Sequence, residues 1–334
     1  MSKKVAVIGS GSWGTALAHQ LRTRGNDVLL YGRDASLLDA ISSNRENTTY
    51  LPGVQLAEGI RTTTSIEDVS KDSELIVFAV PSSILREVAA SLTSPLPKST
   101  LVVSGIKGLE QNTLLRPSEI LRESLGTEVS IAVIAGPSFA KELIKGSPTA
   151  VTIAAETEEI AEKVRAYFHG GNLRTYTSVD IVGAELGGVV KNVIALACGI
   201  LDGMGFGDNA RAALLTRGLA EMQDLALSSG ANPRTLVGLS GLGDLLLTAV
   251  GDLSRNRQVG LRLGRGEKLE HIVSDLGQVA EGVRSAEVLL SIAKAKGVEM
   301  PIVAETVSVL QGKHSVQQAA ERLLSREPRS EIES

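Results

Sequence analysis

Residues 181–202 read IVGAELGGVVKNVIALACGILD, and within this apolar stretch only Glu185, Lys191 and Asn192 are polar before the final aspartate. The pattern predicts a helix that is buried on every side, because no face of it carries a polar stripe. Removing water from an ammonium group is costly, so Lys191 should either pair with a carboxylate or shift its pKa downward. Both outcomes suit proton transfer. The alternative is a lysine that snorkels from a partly covered helix.

The face of this helix that carries Lys191 is otherwise made of small residues. Helical spacing places four of them beside the lysine: Ala184, Gly188, Ala195 and Gly199. Small side chains allow another backbone or a flat cofactor to approach the amine. We therefore expect Lys191 to face a cleft.

Length and composition indicate a globular protein of two domains. The chain has 334 residues, which is longer than a single core usually grows. Apolar residues make up 43% and aromatic residues only 3%, so the core should be aliphatic. The formal net charge of -4 argues against nucleic acid or an anionic membrane as the main partner. Any phosphate site must therefore be local.

Cysteine, histidine and hydropathy patterns favour a cytoplasmic protein. The single cysteine, Cys198, excludes an internal disulfide and fits a reducing compartment. The four histidines are dispersed and give a metal site little support. The first apolar run, Val5 to Ile8, is too short for a signal peptide, and no uncharged apolar run approaches the ~20 residues of a membrane span. We expect no membrane insertion.

A glycine pattern follows the first predicted strand. Residues 9–14 read GSGSWG between the run 5–8 and an amphipathic segment that extends to Arg24. In G-x-G-x-x-G, the first glycine makes a tight turn, the second lets a pyrophosphate approach, and the third permits close packing of helix on strand. Alone the motif could be a chance turn, but strand and helix both flank it. The pattern predicts a dinucleotide site that includes Gly9, Gly11, Ser12, Trp13 and Gly14.

The end of the second predicted strand bears on the cofactor. Asp27 to Tyr31 is followed by Gly32, Arg33 and Asp34, about 20 residues after the glycine pattern. An arginine there favours the 2'-phosphate of NADP(H), whereas Asp34 leaves room for NAD(H). The alternative is that Arg33 is a solvated charge and Asp34 a helix N-cap.

Strands and helices continue to alternate up to about Asp180. The apolar runs predict further strands at 75–80, 100–103, 131–134, 149–154 and 173–177, with helices at 83–92 and 157–168. This pattern predicts an α/β fold, a doubly wound Rossmann-type domain over residues 1–180.

Two loops follow strands at the edge where such sheets bind ligands. Lys107 follows the strand at 100–103 and is well placed to meet substrate or cofactor, although an exposed loop lysine is the alternative. After the strand at 131–134, Gly136 and Pro137 set a turn that opens a helix. There Ser138 and the following amides would cap the helix or hold an anion.

From Ile181 onward, helical periodicity replaces the alternation. Predicted helices at 210–227, 258–263, 283–294, 302–310 and 316–324 complete an all-helical substrate domain over residues 181–324. The charged segment 325–334 has little to bury, so disorder is the default expectation.

Two stretches of this domain carry charge in unusual places. Asp244 lies between glycines and an apolar run, where it would either cap a helix or hold Lys191 charged. Ser254, Arg255 and Asn256 lie at a predicted helix start and form a candidate phosphate clamp, with a solvated basic face as the alternative.

Five separated motifs together resemble bacterial NAD(P)-dependent glycerol-3-phosphate dehydrogenase. They are GSGSWGTALA from Gly9, GPSFAKE from Gly136, VVKNVIA from Val189, GLGDL from Gly241 and SRN from Ser254. The likeness extends from the first strand to about Glu281. It implies a Rossmann domain with a helical domain, usually as a homodimer, that reduces dihydroxyacetone phosphate to sn-glycerol 3-phosphate for phospholipid synthesis.

The resemblance also implies roles for individual residues. It implies contacts with NADP(H) or NAD(H) from Ser12, Trp13, Arg33, Lys107, Ala140, Arg255, Val279 and Glu281. It implies contacts with substrate from Lys107, Gly136, Ser138, Lys191, Asp244, Ser254, Arg255 and Asn256, with Lys191 as the proton acceptor. Our own hypothesis adds that the Lys191 ammonium donates the proton in reduction and that Asp244 orients it.

Two other functions remain open. A related β-hydroxyacid dehydrogenase of the 6-phosphogluconate dehydrogenase-like group would usually carry an asparagine where this chain has Ala195. A non-catalytic dinucleotide sensor would need neither a buried lysine nor a phosphate clamp.

Overall fold

One twisted sheet organises the first half of the chain. The computed structural model describes residues 2–276, 280–328, 330 and 331. Within them lie eight strands: β1 Lys4–Ile8, β2 Asp27–Tyr31, β3 Arg61–Thr63, β4 Leu75–Phe78, β5 Leu101–Ser104, β6 Ser130–Ala135, β7 Thr149–Ala155 and β8 Leu173–Ser178. The strand order is β3-β2-β1-β4-β5-β6-β7-β8. Strands β1 to β6 run parallel, whereas β7 and β8 run antiparallel to them. The first six strands have the order of dinucleotide-binding domains.

Helices cover both faces of this sheet. The sheet half, residues 4–178, contains α1 Ser12–Thr23, α2 Ala35–Asn44, α3 Glu67–Ser70, α4 Leu85–Ala90, α5 Pro117–Leu125, α6 Ala140–Ile144 and α7 Glu158–Phe168. Along β1, Val5 and Val7 join one buried cluster, whereas Ala6 and Ile8 join another. Successive side chains of a strand point to opposite faces, so an apolar run is what a sheet covered on both sides requires.

The second half of the chain is helical. The helical half, residues 181–324, contains α8 Ile181–Gly203, α9 Asp208–Ser228, α10 Pro233–Leu236, α11 Asp244–Val250, α12 Arg255–Gly264, α13 Leu269–Leu276, α14 Glu281–Ala295, α15 Pro301–Leu310 and α16 Val316–Leu324. A π-helical turn, Leu239–Gly243, directly precedes α11. Helix α8 packs against α9, α11, α12 and α14, and against β6 of the sheet half.

The predicted fold class is confirmed, with differences in detail. The predicted second strand has the observed bounds, Asp27–Tyr31, and α8 extends one residue beyond the predicted end. The helix predicted at 83–92 is instead a 3-10 turn, Ser82–Ile84, followed by α4. Strand β3 and helices α3, α5, α10 and α13 lie outside the predicted elements. The predicted disorder of 325–334 stays a prediction, and residues 329 and 332–334 lie outside the described residues.

Helix α8 is long and apolar enough, by length and composition, to cross a membrane. However, 89% of its most apolar window is buried inside the protein. The core helix of a globular protein meets the same criteria, so the length and apolarity of α8 are accounted for by its packing.

Candidate active site

The Lys191 side chain is enclosed in the protein and paired. Only 7% of this side chain is exposed. Its Nζ lies 2.7 Å from Asp244 Oδ1 and donates a hydrogen bond of 2.7 Å to Thr248 Oγ1. The pairing with a carboxylate that the sequence predicts is therefore present, and the lysine does not snorkel to solvent.

Asp244 holds a second lysine as well. Its side chain is 1% exposed, and its Oδ2 lies 2.6 Å from Lys107 Nζ. Burial would raise the pKa of this carboxyl, but the ammonium groups of Lys107 and Lys191 outweigh burial and lower it below its ordinary value. The carboxylate does not cap α11, since Gly243 occupies the N-cap position and no side chain caps there. Asp244 thus remains ionised and orients two ammonium groups.

The same surroundings lower the pKa of Lys191 to about 7. Burial is the largest cause, and the Lys107 ammonium lowers the pKa further, whereas Asp244 opposes both. An amine with such a pKa is present in both protonation states near neutral pH. It is suited to donate a proton in one reaction direction and to accept one in the other.

Lys107 connects two strand ends to this cluster. It follows β5, has a side chain only 21% exposed, and donates a hydrogen bond of 3.3 Å to the carbonyl of Gly136, which follows β6. The backbone carbonyl of Lys107 accepts from the Asn192 amide of α8 at 3.3 Å. The alternative of a solvent-exposed loop lysine is therefore wrong. The carboxyl end of the sheet and α8 meet at this residue.

Close backbone contact between α8 and the π-helical turn places Asp244 opposite Lys191. A methyl group at Gly187 would overlap the carbonyl oxygen of Ser240 in that turn. Because Gly187 lies one helical turn before Lys191, the absence of a side chain there lets the start of α11 reach the lysine. Thr248, one turn after Asp244, then completes the hydrogen bonds around Lys191.

The candidate phosphate clamp lies at the start of α12. Ser254 is the N-cap, and its hydroxyl accepts from the N–H three residues later at 3.3 Å. Asn256 donates to Asn192 Oδ1 at 2.9 Å and accepts from the N–H of Gly282 at 2.9 Å. Arg255 is exposed at the same helix end. These side chains adjoin the lysine cluster through Asn192.

The start of α14 meets the loop that follows β4. Glu281 accepts a hydrogen bond of 3.1 Å from the Ser82 hydroxyl, and Arg284 donates one of 3.0 Å to the Ser83 hydroxyl. Burial raises the pKa of the Glu281 carboxyl. The neighbouring candidate Val279 lies outside the described residues. Glu281 therefore lies where the helical half reaches the carboxyl end of the sheet.

The glycine turn after β1 has the expected geometry. Gly9 has a φ of +120°, and a methyl group at Gly14 would overlap the Gly9 carbonyl oxygen. A methyl group at Gly11 would meet nothing within 4 Å, so the turn faces open space there. Ser12 is the first residue of α1. These features fit a bound pyrophosphate at the start of the helix.

Trp13 links the glycine turn to the loop that carries Lys107. A methyl group at Gly105 would lie 2.8 Å from the Trp13 Nε1 atom. That buried indole nitrogen has no hydrogen-bond partner among the described residues. A buried donor without a partner is costly, so a ligand that accepts from it would stabilise the site.

The alternative given for the end of β2 is the one that the structure shows, whereas Ser138 does not take the capping role that the sequence suggests. Asp34 caps α2, accepting from the Leu37 N–H at 3.1 Å, whereas Arg33 is exposed at the end of β2. Ser138 does not cap α6, because its hydroxyl donates instead to the Gly136 carbonyl at 2.9 Å and the N-cap is Phe139. Ala140 is the first residue of α6.

Thr248 and Asn192 are site residues that the sequence patterns did not indicate. Thr248 lies four residues after Asp244, so helical spacing would have placed it on the same face. Asn192 follows Lys191 directly, and its contacts with Lys107 and Asn256 depend on the tertiary fold.

Comparisons with known proteins agree with this architecture. The family model for the N-terminus of NAD-dependent glycerol-3-phosphate dehydrogenase matches residues 4–161, and the model for its C-terminus matches residues 180–321. A glycerol-3-phosphate dehydrogenase, NAD(P)+, of Myxococcus xanthus is 46% identical over 98% of both chains. One from Anaeromyxobacter dehalogenans is 47% identical over 98% of this chain and 100% of its own.

A solved structure extends the likeness to three dimensions. The crystal structure of glycerol-3-phosphate dehydrogenase from Coxiella burnetii has a TM-score of 0.93 and 36% identity, and the match covers 97% of this chain and 99% of that one. Both family models and these relatives span nearly the whole chain. The chain therefore belongs to the NAD-dependent glycerol-3-phosphate dehydrogenase family.

Proposed function

We propose that this protein is an oxidoreductase that reduces dihydroxyacetone phosphate to sn-glycerol 3-phosphate, reversibly, with NADP(H) or NAD(H). Its product would supply glycerophospholipid synthesis. The observation that carries the proposal is the Lys191–Asp244–Lys107 cluster at the carboxyl end of a Rossmann-type sheet, in a chain of this family. Family membership supports the substrate, and the cluster supports the chemistry.

The glycine turn and the residues around it would hold the cofactor. The free amides at the start of α1, the open space at Gly11 and the unpartnered Trp13 indole N–H all suit a dinucleotide. Further contacts would come from Lys107, Ala140, Arg255, Val279 and Glu281. A reduced nicotinamide, when bound, supplies the hydride for the ketone carbon.

Lys191 would control the proton in this reaction. In reduction, its ammonium would donate a proton to the oxygen on which negative charge develops. In oxidation, the neutral amine would accept the proton from the alcohol. Asp244 and Thr248 fix the Nζ atom at 2.7 Å each, so the donor is positioned before the reaction begins.

The phosphate of the substrate would bind at the start of α12. Arg255 and Asn256 would contact it with a guanidinium and an amide, and Ser254, Gly136 and Ser138 would complete the site. Binding energy from the phosphate, which does not itself react, would position the carbonyl beside Lys191.

Cofactor preference would depend on Arg33. Asp34 caps α2 through its Oδ1 atom, and the exposed Arg33 lies beside it at the end of β2, where a ribose substituent would bind. A guanidinium there favours a 2'-phosphate. We therefore infer a preference for NADPH, with NADH also accepted.

Several wider properties belong to the same proposal. The chain would divide at about residue 180 into a cofactor domain and a substrate domain. It would act as a cytoplasmic homodimer without membrane insertion or nucleic-acid binding.

A substrate panel tests the function. In one reaction the protein is mixed with NADPH and dihydroxyacetone phosphate. In separate reactions it is mixed with NADP+ and either a 6-phosphogluconate-type acid or 3-hydroxyisobutyrate. Nicotinamide absorbance is followed in each. We expect turnover with dihydroxyacetone phosphate. Turnover only with a β-hydroxy acid would support the related dehydrogenase, and cofactor binding without turnover would support a sensor.

A further inference from the structure

A short segment that connects α2 to β3 folds back over the start of α1. Within residues 45–57, Leu51, Val54 and Leu56 are buried in the same core cluster as the apolar side of α1. These apolar contacts hold the segment against the helix that begins at the glycine turn. Asn47 is the polar residue that the segment brings inside, and it is 0% exposed.

The Asn47 side-chain amide makes three hydrogen bonds, two with residues around the start of α1 and one within its own segment. Its Nδ2 donates to the Ser10 carbonyl oxygen at 2.9 Å and to Thr15 Oγ1 at 2.8 Å. Its Oδ1 accepts from the Tyr50 N–H at 2.9 Å. Both hydrogens of the Asn47 amide are thus used, and one of them bonds to a residue of the G-x-G-x-x-G turn. Because Asn47 Oδ1 accepts from the Tyr50 N–H, the orientation of the amide group is fixed.

Holding the Ser10 carbonyl also sets the direction of the next amide. The Ser10 C=O and the Gly11 N–H belong to one planar trans peptide, so they point in opposite directions. With the carbonyl directed at Asn47, the Gly11 N–H must point away from it. The Thr15 hydroxyl also donates to the Ser10 carbonyl, at 3.3 Å, so Asn47 supplies the shorter of the two side-chain hydrogen bonds that hold this oxygen. Without that shorter bond, the carbonyl and the peptide to which it belongs would be held less firmly.

We propose that Asn47 is a positioning residue for cofactor binding, which fixes the peptide between Ser10 and Gly11 so that its N–H is presented to the cofactor pyrophosphate. This inference rests on the proposed function. Asn47 would not touch the cofactor; it would act through the backbone of the turn. Its effect should therefore appear in cofactor affinity and not in the chemical step.

The test uses Asn47→Asp with Asn26→Asp as a matched control. Asn47→Asp keeps the shape and the acceptor for Tyr50, but it places an oxygen against the Ser10 carbonyl oxygen. Asn26 is also buried, 6% exposed, and its Nδ2 donates to the Leu21 carbonyl at 2.8 Å. It lies at the other end of α1, so the same change there alters packing without reaching the turn.

Binding of NADPH is measured by quenching of the single tryptophan, Trp13, and rates and unfolding midpoints are measured in parallel. We expect Asn47→Asp to raise the Kd for NADPH at least about 10-fold, with kcat at saturating NADPH and the KM for dihydroxyacetone phosphate unchanged. Asn26→Asp should lower the unfolding midpoint and leave the Kd unchanged. Should Asn47→Asp not fold, Asn47→Ala, which removes the donor without adding charge, should show the same rise.

An unchanged Kd in the Asn47 variants would overturn the inference, as would an equal rise in Asn26→Asp. If the unaltered protein bound no nicotinamide cofactor, the proposed function itself would be wrong and the inference with it. If the unaltered protein and Asn47→Asp bound NADPH equally tightly, the inference about Asn47 would be wrong and the proposed function would stand.

Discussion

At the scale of single residues, the proposed chemistry depends on one carboxylate that is shared by two ammonium groups. Asp244 contacts Lys107 through one oxygen and Lys191 through the other. The arrangement keeps Asp244 ionised while burial and the second ammonium lower the pKa of Lys191 to about 7. A lysine in water would remain protonated at neutral pH and would be a poor base. The enclosed Lys191, with its lowered pKa, is able to donate a proton in reduction and to accept one in oxidation.

The pKa of Lys191 predicts opposite pH dependences for the two reaction directions. Reduction needs the protonated amine, so its kcat/KM should fall about tenfold per pH unit above pH 7. Oxidation needs the neutral amine, so its kcat/KM should fall as the pH drops below 7. Initial rates in both directions across this range would check the prediction. Rates that do not depend on pH there would contradict it.

The burial of Lys191 follows from its sequence, whereas its partners do not. The apolar stretch around Lys191 required either pairing or a lowered pKa, and both are present. Asp244 lies 53 positions away along the chain, and Lys107 lies on a different half of the fold. Which charges meet in such a cluster depends on how helices and strand ends pack, and periodicity within one element carries no information on that.

At the scale of elements, the contact of α8 with the π-helical turn determines where Asp244 lies. The two backbones approach so closely that only glycine fits at position 187. The sequence indicated that this helix presents small residues, but it gave no sign of the turn, because a π-helical turn has no periodic pattern of its own. Strand β3 escaped prediction for a related reason, since Arg61–Thr63 is an edge strand without an apolar run.

Gly187→Ala should therefore impair both stability and turnover. The added methyl group would push against the Ser240 carbonyl and displace Asp244 from Lys191. We expect a loss of about 1–3 kcal/mol in the free energy of unfolding, the typical cost of overpacking, together with reduced kcat. Denaturant unfolding and steady-state rates would measure these effects.

The neighbouring Gly188→Ala is the matched control. A methyl group there would lie 3.5 Å from the Cγ atom of Lys107, which is an ordinary contact. Its effects on stability and turnover should be clearly smaller. Equal losses of stability and turnover in Gly187→Ala and Gly188→Ala would show that the close contact with Ser240 does not position Asp244.

At the scale of the whole molecule, buried polar contacts join the sheet half to the helical half. Glu185 of α8 accepts from Arg116 Nη1 at 2.6 Å, and from the N–H and the hydroxyl of Ser118 at 2.8 and 2.6 Å. Its side chain is 1% exposed. Because α8 also carries Lys191, this junction fixes the lysine relative to the strand ends. The sequence predicted two parts but not the junction, since Glu185 appeared only as a polar interruption of an apolar helix.

Removing this junction should weaken the whole fold. We expect Glu185→Ala to lower the free energy of unfolding by about 3–5 kcal/mol, because Arg116 and Ser118 would keep buried donors without their acceptor. Glu119→Ala removes another partner of the same arginine, since Glu119 accepts from the Arg116 guanidinium and backbone N–H at 2.8 Å each, but at the start of α5 and with a side chain 41% exposed. Its cost should be about 1 kcal/mol or less. Equal costs in urea unfolding would contradict a role for Glu185 in joining the two halves.

The most direct test of this account is the turnover of Lys191→Met with NADPH and dihydroxyacetone phosphate. Methionine fills a similar volume in the buried position, and Asp244 would still pair with Lys107. We predict that kcat falls at least about 100-fold while the Kd for NADPH is unchanged, since only the proton donor is lost. Turnover close to that of the unaltered protein would show that Lys191 does not handle the proton.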